Sequence, residues 1–282
     1  MKNKRFVVII IVVIIVTIGL YFLLRHEVFK KNNGVKNSIA SSEIQVPVLI
    51  YHHFYSDADK EKYEPNKDYS VKISSFESQM KYLYDNGYKS LTGEQMLCWK
   101  NKQCEIDKKS FLIAIDDGQK SVLVYAKPIL EKYGFTAISF IISSRMKETS
   151  EEYDASIYQY ISKDELKQNG PIEWGSHSHQ MHEMIGDQKK LYTMSYSQIL
   201  EDVKISKELL NTKYFAYPFN TYNHDFINAL KEAGYELAFR GQSRKTTQSE
   251  NRYMISRIFV SDDMNHFKEI FETDKYNQEV KQ

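Results

Sequence analysis

The sequence predicts an α/β fold, a distorted (β/α) barrel of about seven parallel strands. Three observations carry this expectation. Short, uninterrupted apolar runs rich in β-branched and aromatic residues recur along the chain, as in strands buried on both faces. Amphipathic stretches with helix start and stop signals separate them, the alternation that parallel sheets and barrels require. The pattern extends over roughly 235 residues, a span that suits one barrel-like domain better than two small ones.

The first element lies ahead of the barrel. The chain has 282 residues, and "FVVIIIVVIIVTIGLYFLL" runs from Phe6 to Leu24 without a charge. That length suits a membrane-spanning helix and exceeds the usual apolar region of a secretory signal. Residues 1–25 therefore read as an N-terminal transmembrane helix and membrane anchor. Lys2, Lys4 and Arg5 precede it, while Arg25, Lys30 and Lys31 follow. The weak bias places the N-terminus inside and the large domain outside. The expected location is the cell membrane, single-pass, with the large domain extracellular. Secretion after signal cleavage is the alternative, with Ser38-Ile39-Ala40 as a downstream cleavage site. Residues 26–45 are polar and read as a flexible linker.

Residues 46–282 form the expected barrel domain. Strands are expected at 46–52, 111–115, 136–142, 172–176, 214–218, 235–239 and 253–260. Capping boxes mark helix starts at Ser74 with Glu77, Thr92 with Gln95, Ser162 with Glu165, and Ser195 with Gln198,. Gly87, Gly134 and Gly234 sit where helices should stop,. Cys98 and Cys104 are the only cysteines. Outside the cell the pair could close a small disulfide loop, and otherwise they are two separate thiols. The net charge of +1 and the lack of a basic patch argue against a nucleic-acid partner. Tyrosine occurs 21 times, a number served either by half-buried strand positions or by a sugar-binding groove.

In barrels of this kind, chemistry collects at the carboxyl ends of the strands. The reactive residues lie there. "FLIAIDDG" ends a strand with Asp116, Asp117 and Gly118. Adjacent carboxylates at an apolar mouth are costly unless a cation offsets them. Neighbours on a strand point opposite ways, so one can hold a metal while the other faces a substrate or water. "IEWGSHSHQMH" ends another strand with His177, His179 and His182. His177 and His179 share a face if the strand continues, and His179 and His182 share one if a helix begins. His177 and His182 converge only across a strand-to-loop turn. Histidines beside carboxylates suggest zinc or a similar divalent ion. "VPVLIYHHF" supplies Tyr51, His52 and His53, and a histidine there suits general acid–base work near neutral pH. "FAYPFNTYN" offers Tyr217, Pro218 and Phe219 as a groove wall. Arg257, inside the apolar run "ISRIFV", is expected to hold one of the aspartates.

Taken together these motifs resemble the polysaccharide deacetylases of carbohydrate esterase family four. Ala114-Ile115-Asp116-Asp117-Gly118 is similar to that family's Thr-Phe-Asp-Asp-Gly motif, and Pro218-Phe219 to its Pro-aromatic pair. The "YHHF" segment ahead of the Asp-Asp-Gly strand resembles the circularly permuted branch. That branch includes the poly-β-1,6-N-acetylglucosamine N-deacetylases of biofilm export systems. The resemblance extends over about Val46 to Ile270. It implies a metal-dependent hydrolase that removes N-acetyl groups from an extracellular N-acetylglucosamine polysaccharide. It implies Asp117, His177 and His182 as metal ligands, Asp116 as general base and His52 as general acid. Ser178 would orient a metal ligand, Arg257 would fix Asp116, and a backbone N–H near Phe219 would hold the oxyanion. Zinc is the expected metal, with cobalt or nickel able to serve.

The chain departs from the family pattern in places. Ala216 stands where many relatives have an arginine, so Arg257 would take over that role. Asn220 stands where a glycine often follows the Pro-aromatic pair. His179 is surplus, and His53 competes with His52 for the acid role. The same chemistry would serve a peptidoglycan N-deacetylase or an O-acetyl esterase. A non-catalytic glycan-binding surface protein is the alternative of another class.

Overall fold

The computed structural model describes residues 43–64 and 67–278. The expected anchor and nearly all of the linker lie outside the described residues. Among the described residues no helix is long and apolar enough to cross a membrane.

The chain runs β1 (Val48–Tyr51), β2 (His53–Tyr55), α1 (Asp57–Tyr63), β3 (Ser70–Lys72), α2 (Ile73–Asp85), β4 (Lys89–Ser90) and α3 (Gly93–Lys100). It continues through β5 (Ser110–Ile115), α4 (Lys127–Tyr133), β6 (Ala137–Ile141), β7 (Ile172–Ser176) and the short strands β8 (Met184–Ile185) and β9 (Gln188–Lys189). Then follow α5 (Tyr196–Leu210), β10 (Tyr214–Ala216), α6 (His224–Glu232), β11 (Leu237–Gly241), β12 (Ile255–Phe259) and α7 (Met264–Glu272).

Seven parallel strands close a barrel in the order β1-β12-β11-β10-β7-β6-β5, and β5 pairs back to β1. Each of the seven expected strands is present. Most are trimmed at their ends, because ladder pairing stops before the apolar run does. β4 adds two residues beside the start of β5. β2 and β3 form a small parallel pair, and β8 and β9 an antiparallel one.

Strand alternation explains why these runs read as continuously apolar. On β5, Phe111, Ile113 and Ile115 join a core that takes in Phe76 and Met80 of α2, Leu130 of α4 and Phe267 of α7. Leu112 and Ala114 face the other way, into a core with Phe140, Ala216, Phe239 and Ile255 from other barrel strands. Met96, Leu97 and Trp99 of α3 pack into this second core. The α3 start also meets the first residues of the strands: Gly93 N–H donates to Glu173 and lies against the Tyr214 ring. That end of the barrel is therefore filled, and the opposite, carboxyl end is left for chemistry.

Helix signals fared unevenly. The boxes at Thr92 and Ser195 cap α3 and α5 as expected. Ser74 with Glu77 does not open a helix. α2 begins two residues earlier, with Lys72 at its N-cap, and the Ser74 amide is taken by Asp57. Ser162 and Glu165 do bond each other, but they open only a four-residue 3-10 turn. Gly134 caps α4, and Gly87 and Gly234 follow the caps of α2 and α6, all with positive φ. Cys98 and Cys104 are disulfide-bonded, with Cα atoms 5.6 Å apart, closing the loop after α3.

Candidate active site

Asp116 and Asp117 follow β5 at the carboxyl end of the barrel. The Asp116 amide still donates to Tyr51 O at 2.9 Å, continuing the ladder with β1. Asp117 then turns into the left-handed region with φ 74°, and Gly118 follows at φ 68°. The two neighbours therefore do not point to opposite faces as strand alternation predicts, although they meet different partners. The strand has already ended, so both carboxylates line one cavity. Gly118 is required at this turn. A Cβ there would sit 3.0 Å from the Ile141 backbone, in a φ that L residues rarely adopt,.

Asp116 is buried and gripped by Arg257 of β12. The guanidinium donates to both carboxylate oxygens, at 2.7 and 2.9 Å. Burial pushes the carboxyl up, but the Arg257 charge, helped by His177 and His52, outweighs it. The net result is a carboxyl held well below the usual range, and so a carboxylate at any working pH.

His177 follows β7, and its Nδ1 lies 2.8 Å from Ala216 O. A carbonyl only accepts, so Nδ1 carries the proton and Nε2 offers its lone pair to the cavity. Ser178 then adopts φ 74°. Its hydroxyl accepts the Met181 amide at 3.1 Å, so it shapes the turn and makes no bond to a histidine ring. Asp202 on α5 accepts the amides of His179 and Gln180 at 2.8 and 2.7 Å. This wound turn returns His182 to His177, with ring centroids 5.0 Å apart. The strand-to-loop alternative is therefore the one realised. His179 does not join them, and its Nδ1 pairs with Ser143 Oγ at 3.0 Å.

Asp117 Oδ1 lies 3.6 Å from His177 Nε2 and 3.5 Å from His182 Nε2. Those separations are too long for hydrogen bonds. They are close to the roughly 3.4 Å edge of a tetrahedron whose centre lies about 2.1 Å from each ligand. Asp117 Oδ1 is also buried with no hydrogen-bond partner among the described residues. One nearly buried carboxylate oxygen and two ring nitrogens, all within 4.8 Å of one another, fit a divalent ion. Burial drops His182 to about 4. Burial also lowers His177. Both rings are thus neutral, the form that ligates.

The cavity above these residues has a volume of about 660 Å³, within the range of ligand sites. His52 lines it and His53 does not. The His53 ring is buried against Tyr55 and Tyr158. Tyr217 and Phe219 line the cavity as the groove wall, while Pro218 is buried behind them. The Phe219 ring stacks on His182 with centroids 4.1 Å apart.

Among the lining residues that sequence reasoning missed are Tyr69, Arg145, Tyr158 and Tyr160. They come from connections between strands, where no periodicity marks them. Arg145 donates to Tyr160 Oη at 2.6 Å and to His182 O at 3.1 Å. Tyr158 hydrogen-bonds Glu64, and its hydroxyl also meets Lys67 and Tyr69. Asp202 was missed as well, being one acid among several on an amphipathic helix.

Comparison with known proteins agrees with this geometry. The polysaccharide deacetylase family model matches residues 104–238. The match includes the aspartates and histidines and stops short of His52 and Arg257. A poly-beta-1,6-N-acetyl-D-glucosamine N-deacetylase of Staphylococcus aureus strain MRSA252 is 35% identical over 207 residues, 70% of each chain. The enzyme of the same name from strain MSSA476 is 29% identical over 284 residues, 93% of this chain and 94% of its own length. Among solved structures, the Streptococcus pyogenes deacetylase PplD in complex with acetate superposes with a TM-score of 0.70 at 20% identity. It covers 82% of this chain and 100% of that one. IcaB from Ammonifex degensii gives 0.65 at 21% identity, over 80% and 95%. With motif, barrel and relatives in agreement, the chain belongs to the polysaccharide deacetylase family and is an N-deacetylase of that family.

Proposed function

We propose that the chain removes acetyl groups from N-acetylglucosamine residues of an extracellular polysaccharide of the poly-β-1,6 type. One observation carries the reading. A carboxylate held ionised by Arg257 sits beside an Asp-His-His cluster at the floor of a single cavity. The relatives' names supply the polymer.

Asp117, His177 and His182 would hold the divalent ion, with zinc favoured by the ligand set. Such an ion, when bound, acidifies a water and polarises the acetamide carbonyl. Asp116 takes the water's proton as general base. Held as it is by Arg257, it is a weak base and suits only a water already made acidic. Arg257 fixes the carboxylate plane through two bonds, so the free lone pairs have one direction. The backbone N–H of Phe219 would meet the charge that develops on the carbonyl oxygen. His52 gives a proton to the sugar nitrogen as the C–N bond breaks. Acetate and the free amine are the products.

The apolar run at residues 6–24 supports a membrane-anchored enzyme with its barrel outside. Fractionation of cells with and without that segment tests the location. The activity is tested by acetate release from poly-β-1,6-N-acetylglucosamine and from peptidoglycan, using zinc-loaded protein and an Asp116→Asn control. Acetate from the first polymer, lost in the control, is the expected result. Acetate only from peptidoglycan would overturn the polymer assignment and leave the chemistry standing.

A further inference from the structure

The turn after β10 is held in an unusual way. Phe219 and Asn220 both adopt the left-handed region, with φ of 53° and 52°. Consecutive non-glycine residues rarely do this, and such strain persists only where the surroundings over-determine it. Here two sets of contacts do so. The Asn220 side chain pairs with the backbone of Gly241 on β11 in both directions. Its Nδ2 donates to Gly241 O at 2.7 Å, and its Oδ1 accepts the Gly241 amide at 2.8 Å. From the other side, Lys189 of β9 donates to Phe219 O at 3.1 Å and to Thr221 Oγ1 at 2.6 Å.

These contacts reach the chemistry directly. Phe219 stacks on His182. Gly241 is the register partner of Arg257, which grips Asp116. A shift of the turn would therefore move the Phe219 amide and ring relative to both the histidine cluster and the base.

We propose that Asn220 and Lys189 are positioning residues that clamp the strained Phe219–Asn220 turn against β11, fixing the Phe219 amide and ring over the reacting carbonyl. Asparagine is suited to this. It tolerates the left-handed region better than other side chains, and its amide has a donor and an acceptor side by side. A glycine would supply the backbone freedom and leave the turn unclamped. The catalytic part of this inference rests on the proposed role of Phe219, whereas the clamp itself is a structural claim.

The test separates the two. Asn220→Gly keeps the turn's φ and removes the clamp. Lys189→Met removes the second contact, and Lys189→Arg retains a donor. Hydrogen exchange by mass spectrometry reads the amides of Asn220 and Thr221, which donate to Tyr217 O and Pro218 O only while the turn is closed. Acetate release from N-acetylglucosamine oligomers reads kcat and KM. Asn220→Gly is expected to exchange faster in this segment alone. Its kcat should fall by about tenfold with KM nearly unchanged, as for loss of geometry in the transition state. Lys189→Met should show a smaller effect of the same kind, rescued by Lys189→Arg. Unchanged exchange in Asn220→Gly would overturn the clamp. Faster exchange with kcat within about twofold of the parent would overturn the positioning role. If the parent protein releases no acetate, the proposed function fails, and the exchange comparison still decides the clamp.

Discussion

At Asp116, desolvation and ion pairing pull in opposite directions, and the Arg257 pair wins. The pair is almost closed to water, with side-chain exposures of 3% and 5%. Removing one partner leaves a buried charge uncompensated. Arg257→Met is therefore expected to lower stability by about 3–5 kcal/mol, read as a shift of the urea midpoint. The two adjacent histidines should separate cleanly. His52→Ala is expected to lower kcat by about 10²–10⁴-fold with the fold intact by circular dichroism. His53→Phe should leave acetate release within a few-fold. Burial lowers His53 to about 4, against about 6.5 in an unfolded chain. The folded state therefore favours the neutral ring. That stability is complete above about pH 6.5 and drains as pH falls toward 4. His53→Phe should lessen the fall of the denaturation midpoint across that window, leaving the part that His182 and His177 contribute. Asp116, Asp117 and the histidine cluster were legible because such residue types are costly at the end of an apolar strand, whereas the choice of His177 and His182 over His179 came from the family resemblance. Asp202 and Tyr158 were not, because an acid on a helix and a tyrosine in a loop carry no local sign of where the chain will bring them.

Elements in this barrel place chemistry by how they end. β5 delivers two carboxylates to one cavity only because the backbone turns left-handed at Asp117 and Gly118. Gly118→Ala is expected to cost roughly 1–3 kcal/mol in a thermal melt and to abolish acetate release by displacing Asp117. By contrast, Ser195→Ala removes a cap on α5 and should cost about 1 kcal/mol with kcat unchanged. The seven barrel strands were legible because burial on both faces leaves a continuous apolar run. β4, β8 and β9 were not, since two-residue pairings have no periodicity to read. The boxes at Ser74 and Ser162 show the limit of a local motif. Asp57 takes the Ser74 amide that the first would use, and after the second the chain makes only a 3-10 turn.

Across the whole molecule, the cavity gathers aromatics from segments far apart in sequence. Tyr69 and Tyr158 form one wall beside His52, and Phe219 forms another beside His182. Exposed tyrosines tied by Glu64 and Lys67 lose little freedom when a sugar ring settles on them. Tyr158→Ala is expected to raise KM several-fold for oligomers of several sugars and much less for short ones, in the same acetate assay. The closure of the barrel has a consequence in time. β1 lies between β5 and β12, so His52 comes from the first strand made and Arg257 from the last. A ribosome adding roughly 5–20 residues per second needs on the order of 10–40 s to cover the roughly 200 residues between β1 and β12. Until β12 is made, one edge of β1 stays unpaired and Asp116 lacks its guanidinium. A nascent chain thus carries its aspartates and histidines while the base lacks its anchor, and the site stays unassembled until β12 has been made.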